Sequence, residues 1–150
     1  MTACRMPPIA PLTKRKRDGS EVKTLSTSVD ALIEVAEHHG YRVRWHKKGP
    51  KAAWLPHLQA VSLRYGMSDE DTLCALAHEL GHAFYNDPPG HTGKCERRAD
   101  RFAARLLISP AEYQAAELVY GSHPARLAAE LGVTTYLIQT FQTTIERTPA

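Results

Sequence analysis

Residues 77–87 read AHELGHAFYND, and within them His78, Glu79 and His82 form the pattern H-E-x-x-H. A chain with 8 histidines in 150 residues can supply such a pattern by accident, so it has to be judged by the helix that carries it. Ser68 and Asp71 resemble a capping box at the start of SDEDTLCALAHELGHAFY, and NDPPG ends that helix. At roughly 100° per residue, Leu73, Leu76, Ala77, Leu80 and Phe84 fall in one sector about 100° wide, which is the core face. His78 and His82 lie roughly 140° and 180° from Leu73, with Glu79 beside them. Two histidines buried merely as core residues would sit inside the apolar sector, and these sit outside it.

The i, i+4 spacing brings both imidazoles to one side of the helix, where they can share one ion at about 2.0–2.1 Å per Zn–N contact. Glu79 is then placed as a general base toward a water at the metal. A catalytic zinc takes three protein ligands, so a third must come from elsewhere. In ERRADRFAARLLI, Ala99, Phe102, Ala103, Leu106 and Leu107 define an apolar sector, and Arg97, Arg98, Arg101 and Arg105 cluster opposite it. Glu96 and Asp100 fall at the edge of the apolar sector, away from the arginines. Burying a carboxylate without a partner costs several kcal/mol or forces protonation, and a divalent ion relieves that cost. Glu96 is therefore the candidate third ligand, and Asp100, one turn on, the candidate acceptor for a ligand imidazole. A closed Cys/His site built from Cys74, His91 and Cys95 competes, but it leaves Glu79, Glu96 and Asp100 without a role. His38, His39, His46, His57 and His123 lie beside turns, prolines or strand ends and read as surface residues.

These two motifs together resemble the ImmA/IrrE family of zinc metallopeptidases. HELGH followed by ERRADRFAARLLISP, in the order helix, small sheet, H-E-x-x-H helix, E-x-x-A-D-x-F-A-A-x-L-L-x-P helix, carries the resemblance over roughly residues 26–145. It joins the E-x-x-x-D of the gluzincins to a family-like apolar pattern. A metzincin would require Gly and His where Tyr85 and Pro88 stand. The resemblance implies Zn²⁺ held by His78, His82 and Glu96, with Glu79 as catalytic base and Asp100 behind a ligand. It also implies a cytosolic peptidase that cleaves, or relieves the action of, a helix-turn-helix repressor, commonly one encoded nearby. The 13 residues between His82 and Glu96 are fewer than in many relatives, which leaves the roof of the cleft unspecified. Tyr85, His91, Tyr120 and His123 are equal candidates for stabilising the oxyanion.

The rest of the chain sets the frame. Length allows one domain with a moderate core, and no apolar stretch approaches the roughly 18 residues of a membrane span. MTACRMPPIAPLTKRKRDGS lacks the continuous apolar region of a secretory signal, so a cytoplasmic location is expected. Three cysteines, odd in number and without C-x-x-C spacing, argue against a disulfide framework. Of the net charge of +3, residues 1–25 carry +4, leaving the remainder at −1. That Pro-rich, basic segment reads as a disordered tail. STSVDALIEVAEHHG is an amphipathic helix. YRVRW, KGPKAAWLP and LQAVSLRYG are three short strands, expected to form a largely antiparallel sheet. The last, Ala60 to Gly66, is expected to offer an edge to an extended substrate. SPAEYQAAELVYG is a helix with Ser109 at its N-cap, Pro110 at its first position, Glu112 closing the box and Gly121 ending it.

RLAAELGVTTYLIQTF, with Ala128, Gly132 and Ile138 at helix-turn-helix spacing, gives a rival reading as a DNA-binding or repressor-binding regulator without proteolytic activity. Its second helix, Thr134 to Phe141, has no Arg or Lys, which weakens the case for phosphate contact. The expected architecture is α+β and zincin-like. It comprises a basic tail (1–25), a metallopeptidase unit with a small three-stranded sheet on the H-E-x-x-H helix (26–121), and a C-terminal helix-turn-helix-like portion (122–150).

Overall fold

The computed structural model describes residues 27–146, and the basic segment read as a disordered tail lies outside them. The described chain is α+β, with six α-helices and one three-stranded sheet. Helix α1 (Val29–His38) opens on Ser28, whose hydroxyl accepts from the Ala31 N–H at 3.1 Å. Strands β1 (Arg42–His46), β2 (Ala52–Leu55) and β3 (Ala60–Arg64) follow, and then α2 (Asp69–Tyr85) and α3 (Gly93–Leu107). Helices α4 (Pro110–Tyr120), α5 (Pro124–Leu131) and α6 (Thr135–Glu146) complete the fold. Ser68 caps α2 through the Asp71 N–H, and Pro110 and Gly121 bound α4 as their chemistry requires. The expected side-chain cap from Ser109 is not formed. No helix of the described residues is long and apolar enough to cross a membrane.

The sheet corrects two expectations. Its order is β1-β3-β2, with β3 parallel to β1 and antiparallel to β2. It is therefore mixed, and β3, expected at an edge, is the central strand. The alternation of Val61 and Leu63 with Ser62 and Arg64 identifies a strand but says nothing about its neighbours. The β1–β2 connection looks like a hairpin in sequence, yet it spans the end of β3: the Arg64 guanidinium donates to Gly49 O at 3.0 Å, and His46 Nδ1 lies 2.6 Å from Ser62 Oγ. The free edges belong to β1 and β2.

Register places Val43, Val61, Leu63 and Trp54 on one sheet face. Helix α2 packs on β2 and β3 from that side, and α1 packs on β1 and α2. Leu32, Val61, Leu63 and Leu76 are fully enclosed there, each worth about 1.5–3 kcal/mol relative to exposure. The opposite side of α2 is covered by α3. On that side His82 is 0% exposed, and His78 is half-buried. The cause is Gly81, where an added Cβ would stand 3.0 Å from Ala99 Cα, so that the missing side chain lets the two helix backbones approach. Helix α6 packs on α3 and α5, and Leu127, Leu137, Ile138 and Phe141 join the same core cluster as α1 and the sheet.

Candidate metal centre

The centre is built where α2 and α3 face each other. Helical spacing stacks His78 over His82 on one helix, and Glu96 enters from the first turn of the other. One ligand atom from each of the three lies within 4.8 Å of the other two. His78 Nε2 is 3.1 Å from His82 Nε2 and 3.1 Å from Glu96 Oε2, while His82 Nε2 is 3.2 Å from Glu96 Oε1. The sequence-expected trio is thus brought together, and Cys74 and Cys95 do not join it among the described residues.

What stands behind the two rings fixes their chemistry. His78 Nδ1 lies 2.8 Å from Asp100 Oδ1, and His82 Nδ1 lies 2.8 Å from Asp87 Oδ2. With each Nδ1–H donated to a carboxylate, the neutral tautomer turns each Nε2 lone pair inward. In that tautomer two imidazole lone pairs and a carboxylate meet across about 3 Å, contacts that need a proton on His78 or a cation between them. Such a set is relieved by a cation in its midst, and two nitrogens with one oxygen fit a divalent transition metal.

Asp100 is placed where sequence reasoning expected it, and it carries an unforeseen second partner: the Tyr136 hydroxyl of α6 donates to Asp100 Oδ2 at 2.6 Å. Burial would raise the Asp100 pKa, but the hydrogen bonds from His78 and Tyr136 outweigh it and hold the carboxyl below its ordinary value. Asp87 was missed altogether. It is 3% exposed, its backbone N–H donates to His82 O at 2.9 Å, and its carboxylate receives His82, Arg98 and the Cys95 thiol. Burial again opposes ionisation and loses to these donors, so its pKa is lowered. Arg98 also lies over the Tyr85 ring at 4.0 Å, so one of the four arginines read as solvent-facing turns toward the centre. For His78, burial works against the charged form, yet Asp100, Glu79 and Glu96 together raise its pKa.

Glu79 lies half-buried beside these candidate ligands. Burial raises its pKa, and His78, His82 and the backbone N–H of Trp54, which hydrogen-bonds it, pull the other way. Trp54 also donates its indole N–H to Asp87 O at 3.2 Å, so one residue of β2 ties Glu79 to the turn behind His82. Of the four oxyanion candidates, only His91 reaches the centre: its ring lies 3.9 Å from that of His82, and its Nε2 is within hydrogen-bond distance of Glu96. Tyr85 is engaged by Arg98, Tyr120 by Glu130, and His123 stands at the start of α5. His38, His39, His57 and His123 are exposed as expected, whereas His46 is half-buried against Ser62 and Pro50.

Among curated proteins none matches this sequence. The IrrE N-terminal-like domain, the defining domain of the M78 peptidases, matches residues 36–140, from the end of α1 into α6. That span covers the sheet, the two helices that bring His78, His82 and Glu96 together, and Tyr136, and the chain belongs to this peptidase family.

Proposed function

We propose that the protein is a zinc-dependent endopeptidase that hydrolyses a peptide bond in a helix-turn-helix repressor or a similar regulatory partner. The observation that carries this reading is the convergence of His78 Nε2, His82 Nε2 and the Glu96 carboxylate, each ring backed by its own aspartate. When bound there, zinc would supply Lewis acidity, lowering the pKa of water toward neutrality and polarising a substrate carbonyl. The chain's own groups do the rest. Asp100 and Asp87 hold both rings in one tautomer and orientation. Glu79 accepts the proton of the attacking water and hands it to the leaving amine, and its Trp54 N–H bond keeps the carboxylate fixed between the two transfers. His91, against Glu96 and His82, is the group best placed to donate to an oxyanion.

An extended substrate has an edge to pair with in β2. Arg64 N donates to Lys51 O at 2.9 Å, so the alternation of an antiparallel pair turns the backbone groups of Ala52 and Trp54 to the free side. Glu79 meets the Trp54 N–H on that side, so a strand added along β2 passes the catalytic carboxylate. An edge site of this kind takes a linker or locally unfolded segment. The repressor as partner and a cytoplasmic location rest on the family resemblance.

The test uses the full chain loaded with one equivalent of zinc, mixed with the product of the adjacent gene and with any helix-turn-helix regulator that co-purifies, with fragments read by mass spectrometry. Cleavage that is lost on chelation and in Glu79→Gln supports the proposal. A tight complex with the regulator left intact would instead favour the non-proteolytic reading.

A further inference from the structure

Residues 41–67 carry the whole sheet, and every Lys, Arg, Asp or Glu among them is a cation: Arg42, Arg44, Lys47, Lys48, Lys51 and Arg64. The other described residues hold 14 acids against 6 bases, so the molecule is sharply polarised. Charge that guards a free strand edge can be of either sign, so edge protection does not account for this segregation. Lys51 is taken by Asp71, and the Arg64 guanidinium by Gly49 O. Register sets Arg42 and Arg44 beside Ala60 and Ser62, on the sheet face away from Val43, Val61 and Leu63. Both arginines are exposed, as are Lys47 and Lys48 in the turn that follows, and none of the four is ion-paired among the described residues. Two residues of strand advance about 6.8 Å, so these cations recur at a steady interval, as do the charges of a nucleic-acid strand at roughly one per 3.4 Å of rise. Between the arginines stand only Ala60 and Ser62, too small to anchor a protein partner. At the end of β1, two residues before Lys47, Trp45 stacks on Tyr65 with ring centroids 5.3 Å apart, and the two are 40% and 57% exposed. A bare aromatic face beside a row of cations suits a polymer of phosphates and bases.

From this we infer that β1 and the turn after it bind single-stranded nucleic acid, with phosphates along Arg42, Arg44, Lys47 and Lys48 and a base against the Trp45–Tyr65 pair. The inference goes beyond the peptidase reading and does not depend on it. It also moves nucleic-acid contact away from the helix-turn-helix-like end, whose Thr134 to Phe141 stretch has no Arg or Lys, and onto the sheet.

The full chain is titrated into fluorescein-labelled oligothymidylate at several salt concentrations and followed by anisotropy. Because residues 14–17 are also basic, the reference chain carries Lys14→Gln, Arg15→Gln, Lys16→Gln and Arg17→Gln together. In that chain the slope of log K against log salt is expected near about −3, from four phosphate contacts at roughly 0.7 each on a single strand. Adding Arg42→Gln and Arg44→Gln should halve the slope and weaken binding about tenfold at low salt. Intrinsic fluorescence with unlabelled oligothymidylate gives an independent readout. Trp54 is enclosed, so quenching reports Trp45, and Trp45→Leu should abolish it and weaken binding about fivefold. Melting temperature checks that each variant is folded. Binding that vanishes in the reference chain, or that the arginine pair leaves unmoved, overturns the inference. So does a duplex bound more tightly than the single strand, or polyglutamate or anionic vesicles bound as tightly. Self-association that the arginine pair abolishes would give this face to a second copy of the chain and overturn it too. Oligothymidylate bound here with no regulator cut keeps this face and counts against the peptidase, and cleavage without oligothymidylate binding does the reverse.

Discussion

His82 Nδ1 lies 2.8 Å from Asp87 Oδ2, and both side chains are almost wholly enclosed. The same relationship joins His78 to Asp100 on the other side of the centre, but there the aspartate is less deeply enclosed and is shared with Tyr136. The two aspartates therefore do the same work for their rings and different work for the fold.

Replacing either aspartate by Asn is expected to weaken zinc binding by about 10–100-fold, the usual cost of losing an acceptor behind a ligand imidazole. Only Asp87→Ala should also be strongly destabilising, by about 3 kcal/mol, because it strands Arg98 and the buried His82 N–H. Competition with a chromophoric chelator measures the first effect and urea denaturation of the metal-free protein the second. Equal stability losses for the two positions would contradict this division.

Acid stability follows from the same carboxylate. Its folded pKa lies below the unfolded value of about 3.9. Above that value the stabilisation is fully present, and it is lost as pH falls through the lower, folded pKa. In metal-free protein the melting temperature should therefore fall between about pH 5 and pH 2. Asp87→Asn should show a lower plateau and a shallower acid limb, whereas a parallel limb would assign the loss to other carboxylates.

Glu79→Gln removes the proposed base but none of the proposed ligand atoms and keeps a side chain of the same shape against the Trp54 N–H. Zinc affinity should change less than about threefold, while kcat falls by about 10²–10⁴, the usual contribution of a positioned general base. Loss of zinc in this variant would place Glu79 among the ligands and undo the assignment.

The half of this site that helical periodicity governs is legible in the sequence. His78 and His82 diverge from an apolar stripe, and Glu96 and Asp100 stand away from the arginines, because both facts depend only on position around one helix. Asp87 is hidden for the opposite reason. It sits in NDPP, where Asp and Asn are ordinary turn residues, and it meets His82 only because Asn86 adopts φ 51° and turns the chain back over the end of α2. Tyr136 reaches Asp100 across 36 residues, and the edge status of β2 depends on β3 inserting beside β1. Both are long-range facts with no local pattern. The burial of His82 is likewise illegible, since a stripe on one side of a helix does not reveal how closely a second helix covers the other.

Gly81, inside HELGH, is where that second helix is admitted. An added Cβ would stand 3.0 Å from Ala99 Cα and 3.2 Å from both its Cβ and its carbonyl oxygen, atoms of a helix backbone that cannot rotate aside. In isolation, Ala for Gly within a helix gains about 1 kcal/mol. Here Gly81→Ala should instead destabilise by about 1–3 kcal/mol, the cost of overpacking a close helix contact. Because Glu96 and Asp100 flank Ala99 on α3, the same displacement draws both carboxylates from the imidazoles, and zinc affinity should fall with stability. Gly93→Ala is the control: its Cβ would meet only the flexible end of Arg97 at 3.4 Å, so stability and zinc binding should hold. Melting temperature and chelator competition on the two variants decide the matter. A Gly81→Ala protein as stable as the parent, with its zinc affinity intact, would mean that something other than this contact sets the distance from Glu96 to the histidines.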